Sequence, residues 1–287
     1  MRKKCFKTMF ENERDGIIME WEKLNVDEFI NAIDESKGVI LIPIGCLEKH
    51  GSHMPIGTDI LIAREIAIRA SRIENVMVFP FIPFGIVGEV KHKLGTISLT
   101  SNLIYNMLDE LCDEVARNGF NKIVFVDGHG GNHNFLKYFM QSRLEKPHPY
   151  ITYYFDVGFK DSKFWQEYQQ EFGRVYESGH ACEFETSSLL EIDQTLIQIN
   201  KINPDETKAL HRLDKLNEVG LYTGISWYAD YPHQIAGDAS NASIERGKWI
   251  NERNVIRLVA AIKAIKETDI DISLLNEYYE KHNNPEK

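Results

Sequence analysis

The sequence predicts an α/β fold with a mostly parallel central sheet and helices on both of its faces. Apolar runs of strand length recur at 38–44, 76–81, 122–126 and 150–155, and between them apolar residues fall at helical spacing. Strand and helix patterns thus alternate from 38 to 192, the order that builds parallel sheets. A further observation bears on function. Clusters of His, Asp and Glu follow directly on two of the strand-like runs, where ligands bind in open α/β sheets.

In chain order, a helix is expected at 27–35, with Phe29, Ile30 and Ile33 on one face. The run 38–44 is rich in Val and Ile and stops at Gly45. In TDILIAREIAIRASRI, Ile62, Ile66, Ala70 and Ile73 recur at spacings of four, four and three, which is one buried helical face. A strand at 76–81 is closed by Pro80 and Pro83. A Gly-containing loop then leads to a short strand at 96–99. Ser101 is the expected cap of a helix with the stripe Ile104, Leu108, Leu111 and Val115, terminated by Gly119. The segment KIVFV at 122–126 is the most buried-looking strand; a Gly-rich turn follows, then a helix to about Glu145. A strand at 150–155, a helix near 161–172 and a helix over Glu183–Ile192 come next, then a connector rich in Lys, Asp and Pro at 193–215. A long terminal helix is expected at 240–268, with Val255, Leu258, Ile262 and Ile265 in period. No repeat or long linker divides the chain. One domain over 1–287 is expected, with 1–20 as an arm on the surface or on a neighbouring subunit.

At 287 residues and 43% hydrophobic content the chain can bury a full core. Its net charge of −10 argues against nucleic acid as a partner, because phosphate binding needs a basic face. Cys5, Cys46, Cys112 and Cys182 are scattered and form no CxxC pair, as in a reduced cytosolic protein. No window approaches the roughly 18 consecutive apolar residues of a membrane span, and the basic N-terminus lacks an apolar signal core. A cytoplasmic protein without a membrane partner is expected.

Three clusters carry candidate chemistry. In LIPIGCLEKHGSHMPIGTDI, Glu48, His50, His53 and Asp59 lie just past a buried strand. Glu48 and His50 are two apart, so in extended backbone they point the same way. Carboxylate and imidazole together suit Zn, Mn or Fe better than Ca or Mg; the competing reading is a polar loop with a helix-capping Asp. In VDGHGGN, His129 sits between glycines at a strand end. A phosphate-binding loop is the rival there, but neither G-x-G-x-x-G nor the Lys-Ser/Thr of a P-loop is present, and the nearest cation is Lys137. In GHACEFETS, His180, Glu183 and Glu185 precede an apolar helical run; a single acid there would be a helix-start charge.

Together these clusters resemble the creatininase family of metal-dependent amidohydrolases. The matching residues are Pro43, Ile44 and Gly45 with Glu48, His50, Gly51, His53, Pro55, Thr58 and Asp59, then Gly128 to Asn132, then His180-Ala181-Cys182-Glu183-Phe184-Glu185-Thr186-Ser187; Gly95-Thr96-Ile97-Ser98-Leu99 adds a weaker match. The resemblance implies a three-layer α/β/α sandwich, two divalent metal ions per chain (Zn, Mn or Fe) and a ring-shaped homohexamer. It implies Glu48, His50, Asp59, His129 and Glu185 as metal ligands, with Asp59 bridging. It implies proton transfer by His180; on the residues themselves, Glu183 is the second catalytic candidate for that role or a grip on a cationic part of the substrate. Two such ions can activate a hydroxide and polarise an amide carbonyl without a Ser or Cys nucleophile. The expected activity is hydrolysis of a carbon–nitrogen bond in a small cyclic or linear amide, a formamide or a short peptide. The alternatives are a creatinine amidohydrolase proper and a non-catalytic member whose metals only hold the assembly.

Three departures from the family pattern stand out. Cys182 replaces a Gly. Val90 stands where a His is often found, with His92 displaced by two. Gly130, Gly131 and Tyr176 occupy places where creatinine-specific members carry Tyr, Glu and Trp. A substrate other than creatinine is expected.

Overall fold

Six consecutive buried residues at Val39–Ile44 form β1, and six more at Lys122–Asp127 form β3. They pair in parallel, from Val39 against Lys122 to Ile44 against Asp127. The computed structural model describes residues 19–173, 179–268 and 270–284. Within it, β2 (Met77–Val78) and β4 (Ile151–Asp156) complete a four-stranded parallel sheet in the order β2-β1-β3-β4. The α/β class is as expected. The proposed arm at 1–20 falls largely outside the described residues; Val78 N–H donates to Met19 O at 2.8 Å, so residue 19 lies beside β2.

Burial on both faces explains why the strands read as unbroken apolar runs. Val39, Leu41, Val124 and Val126 pack on one side with Ile62 and Ile66 of α2 (Thr58–Ile73) and with Val255, Leu258 and Ile262. Ile40, Ile42, Ile123 and Phe125 pack on the other with Ile104, Leu108, Leu136 and Phe139. Each such side chain contributes about 1.5–3 kcal/mol when fully buried, so reversing one strand's register would lose a whole face. α1 (Val26–Ser36), α3 (Ser101–Arg117), α4 (Asn132–Ser142), α5 (Ser162–Phe172) and α6 (Glu183–Ile192) lie between and around the strands. They are followed by α7 (Asp214–Asn217), α8 (Ser226–Asp230), α9 (Ile244–Glu267) and α10 (Ile270–Asn283).

Several expectations are corrected. The second strand shrinks to two residues because Pro80 has no N–H to extend the ladder. The chain still follows β1 irregularly, with Phe79 N–H on Leu41 O and Ile82 N–H on Pro43 O, both at 2.8 Å. Pro43 sits in a central strand because its carbonyl, and so its missing N–H, face the side where the β2 ladder has already ended. The strand expected at 96–99 does not form. Ile97 N–H reaches Leu47 O at 3.1 Å, in the loop beyond β1, where no strand edge exists to pair with. Thr100, not Ser101, caps α3 by accepting from Leu103 N–H at 3.3 Å, and that helix ends two residues before Gly119. The long terminal helix begins later than expected, with Ser243 as its cap. A further helix, α10, follows it. Tyr279 holds α10 by donating to the carbonyls of Arg143 at 3.0 Å and Lys146 at 2.6 Å.

Candidate metal centre

The crossover directions reverse between β1 and β3, which places a crevice outside their carboxyl ends. The loop after β1 carries Glu48 and His50, the first turn of α2 carries Asp59, the turn after β3 carries His129, and the first turn of α6 carries Glu185. A Cβ on Gly128 would lie 2.3 Å from Asp59 O, so a side chain at that position would push α2 away from the end of β3.

All five expected ligands converge. His50 Nε2 lies 2.8 Å from Asp59 Oδ1 and 4.0 Å from Glu185 Oε2. His129 Nδ1 lies 2.7 Å from Glu48 Oε1 and 3.1 Å from Asp59 Oδ2. Asp59 therefore presents one oxygen to each imidazole.

The tautomers follow from the opposite ring nitrogens. His129 Nε2 meets Ile86 O at 2.9 Å and His50 Nδ1 meets Glu48 O at 3.2 Å. A carbonyl only accepts, so each neutral ring keeps its proton there and turns a lone pair to the carboxylates. Accordingly, Glu48 Oε1 and Asp59 Oδ2 are buried and have no hydrogen-bond donor, although His129 Nδ1 is within ion-pair reach of both. Buried lone pairs facing one another are unstable without a cation between them. The donor set of three carboxylates and two imidazoles fits a divalent transition ion. Without metal, protons take that role. Burial opposes charging the His50 imidazole, yet the Asp59 carboxylate lifts it to about 10. Burial likewise works against the charged form of His129, but Glu48 holds that ring well above its ordinary value. Burial would raise both Asp59 and Glu48; His50 and His129 hold Asp59 low instead, and His129 and His180 hold Glu48 low.

Two residues to which the sequence reading gives no role support the site. Asp127 Oδ1 accepts from His129 N–H at 3.1 Å and Asn132 Nδ2 at 3.0 Å, and Asn132 Oδ1 accepts from Ile86 N–H at 2.9 Å. Burial pushes Asp127 up to about 7. The sequence signals are an acid and an amide flanking the glycine turn, the amide being the last residue of the matched motif.

The remaining candidates separate. His180 Nε2 lies 2.8 Å from Lys49 O, and its ring stacks on His50 with centroids 4.1 Å apart. It has a donor atom grouped with those of Glu48 and His50. Ala181, at a φ of 53°, donates its N–H to Glu185 Oε2 at 2.5 Å and so aims that carboxylate. Glu183 is not brought to the cluster. It is 2% exposed and turns into an aromatic pocket, where Tyr168 OH and Arg246 Nη1 (3.1 Å) donate to its Oε1. His53 also faces away, with Nε2 on Thr186 Oγ1 at 2.9 Å, and burial holds its pKa down at about 4. Cys46 lies near Asp59 and His129, but burial pushes its thiol up to about 12. Cys182 packs among Phe164, Tyr168, Phe184 and Trp249. His92 binds two backbone carbonyls, of Glu89 at 3.1 Å and Pro232 at 3.0 Å, and Val90 is buried. Tyr176 lies outside the described residues.

Two cavities reach the cluster and share Glu185, Gly130 and Gly179. The larger, about 690 Å³, is also lined by Glu48, His129, His180 and Trp227. The smaller, about 240 Å³, includes Asp59, Lys160 and Cys182.

The model of the family described as creatinine amidohydrolase matches residues 22–262. The chain belongs to the creatininase family. It is accordingly a hydrolase acting on carbon–nitrogen bonds. It is 25% identical to the creatinine amidohydrolase of Pseudomonas putida over 177 residues, covering 57% of this chain and 68% of that one. It is 28% identical to the mycofactocin precursor peptide peptidase of Mycobacterium ulcerans over 221 residues, covering 74% and 79%. A solved creatininase in its manganese form superposes with a TM-score of 0.71 at 21% identity, covering 88% of this chain and all of that one. A Cβ on Gly131 would lie 2.4 Å from His129 Nε2 and 2.5 Å from Ile86 O, so a side chain there conflicts with this placement of His129.

Proposed function

We propose that this creatininase-family chain is a two-metal amidohydrolase that cleaves a linear amide or short peptide rather than creatinine. The observation that carries this is Asp59, whose two oxygens face His50 and His129 separately within a buried set of acceptors. Glu48, His129 and Asp59 would hold one ion, and His50, Glu185 and Asp59 the other. Once bound, a pair of divalent ions supplies Lewis-acid polarisation of the amide carbonyl and acidifies the attacking water.

The chain's own residues supply the rest. The loop glycines and Gly179 leave both cavities open beside the cluster, so the acyl and amine portions of a substrate have room on either side. In hydrolysis a C–O bond forms to the water oxygen, the C–N bond breaks, and the nitrogen leaves only when it gains a proton. His180 is suited to carry that proton. Its Nε2–H is committed to Lys49 O, its ring lines the larger cavity, and the remaining nitrogen is free to accept and donate. Glu183 has no part in this step, since Arg246 and Tyr168 engage it. Peptides are favoured over creatinine by Gly131 and by the likeness to the mycofactocin precursor peptide peptidase.

The test is amine release from a panel of short peptides, formamides and simple amides, with creatinine alongside, before and after chelation. Chelator-sensitive cleavage of a peptide or linear amide is expected. Cleavage of creatinine alone would refute the substrate assignment, and cleavage indifferent to chelation would refute the mechanism.

A further inference from the structure

We propose that the wall of the larger cavity formed by α8 binds a positively charged group, so that the preferred substrate is an amide carrying an ammonium or guanidinium on a short arm. The inference rests on the amidohydrolase reading only for what the cation is attached to.

Asp230, at the end of α8, has a buried Oδ1 with no hydrogen-bond partner, and it lines this cavity. A buried carboxylate oxygen left without a donor is costly, so its position points to a donor supplied from outside the chain. Glu89 lines the same cavity from the loop that precedes α3. No Lys or Arg is among the described residues lining it. Arg212, which packs over the Tyr228 ring of α8, is committed to the carbonyls of Tyr228 and Ala229.

The aromatic part of the wall is held rigid. Trp227 donates its indole N–H to Gln234 Oε1 at 2.8 Å, and Gln234, fully buried, donates to Tyr231 O at 3.1 Å. That fixes the indole plane, with the Tyr231 ring 4.9 Å from it and the His180 ring 5.8 Å away at 79°. An indole face beside carboxylates is a receptor for an organic cation, through ring quadrupole and charge together. A bare divalent ion would instead be drawn to the cluster of Glu48, Asp59 and Glu185. Because His180 touches Trp227, a cation held there places the attached amide over the residues that act on it.

The test is isothermal titration of the purified, metal-loaded chain with 4-aminobutanamide and with butanamide, which differ in the ammonium. Wild type is expected to bind the cation about tenfold more tightly. Asp230→Asn and Trp227→Leu should each remove most of that preference, Glu89→Gln part of it, and Asp230→Glu should retain it. Thermal melts identify any variant that fails to fold, in which case Glu89→Gln carries the comparison. Equal affinity for the two probes, no binding of either, or a preference untouched in every folded variant would overturn the proposal. Amine or ammonia release is followed in the same samples. A cation preference without hydrolysis of any amide leaves the cation site standing and removes the hydrolase reading; hydrolysis without a preference does the reverse.

Discussion

Asp59 Oδ2 lies 3.1 Å from Nδ1 of His129, a nitrogen that offers it no proton while the ring is neutral, because the neutral ring's N–H is held by Ile86 O on the other side. The mirror arrangement holds between Asp59 Oδ1 and His50 Nε2 at 2.8 Å. With both rings neutral, one carboxylate faces two lone pairs in a buried pocket, and positive charge on each side of it, a proton or a cation, stabilises that pocket.

Asp59→Ala should therefore remove more metal than any other single ligand substitution. It would take away the one group shared by both halves and leave the two proposed cations facing each other unshielded. Elemental analysis of the purified variants checks this. Retention of both metals by Asp59→Ala, with loss in His129→Ala, would show that Asp59 is not the bridge.

His180→Ala should keep its metal while kcat falls by about 10² to 10⁴, the span for a lost proton-transfer group. KM should move little. Loss of one metal equivalent would make His180 a ligand, for which its stacking on His50 leaves room.

Glu183→Ala should act on stability rather than chemistry. It leaves Arg246 facing Tyr168 and Phe172 without its carboxylate, and breaking such a buried pair costs about 3 kcal/mol, at the low end because Arg246 keeps some exposure. A lowered Tm with near-normal metal content is the expected outcome. A large fall in kcat at unchanged Tm would return Glu183 to the chemistry.

The pH dependence of the metal-free chain follows from His50. Its folded pKa is raised from 6.5 to about 10. The stability it contributes is fully present below 6.5 and is lost as pH rises through about 10. The chelated protein should melt at progressively lower temperature between those values. Metal affinity should rise over the same range, because binding must displace the proton. A chelated protein whose Tm is flat from pH 6.5 to 10 would contradict this.

How far the sequence could be read depends on how local each signal was. The alternation of Val39 and Leu41 against Ile40 and Ile42 is a property of adjacent residues, and the structure sorts them onto the two faces it implies. The convergence of Glu48, His50, Asp59, His129 and Glu185 was legible only as three motifs whose strand-end positions predict a common crevice. Glu183 and Glu185 are two apart on one helical turn, and nothing local says which turns to the cluster. Arg246, 63 residues later, decides for Glu183, and the Ala181 N–H decides for Glu185. α10 was missed for a similar reason, since its anchor is Tyr279 on carbonyls 136 and 133 residues away. The strand expected at 96–99 had strand-like residues but no sheet edge within reach.

That two divalent ions sit on either side of Asp59 is the proposal on which the mechanism depends. Elemental analysis of the chain purified without chelator tests it most directly. The account predicts about two transition ions per chain, lost on chelation and regained with Zn, Mn or Fe. Trace metal only, with none regained on adding those ions, would contradict it.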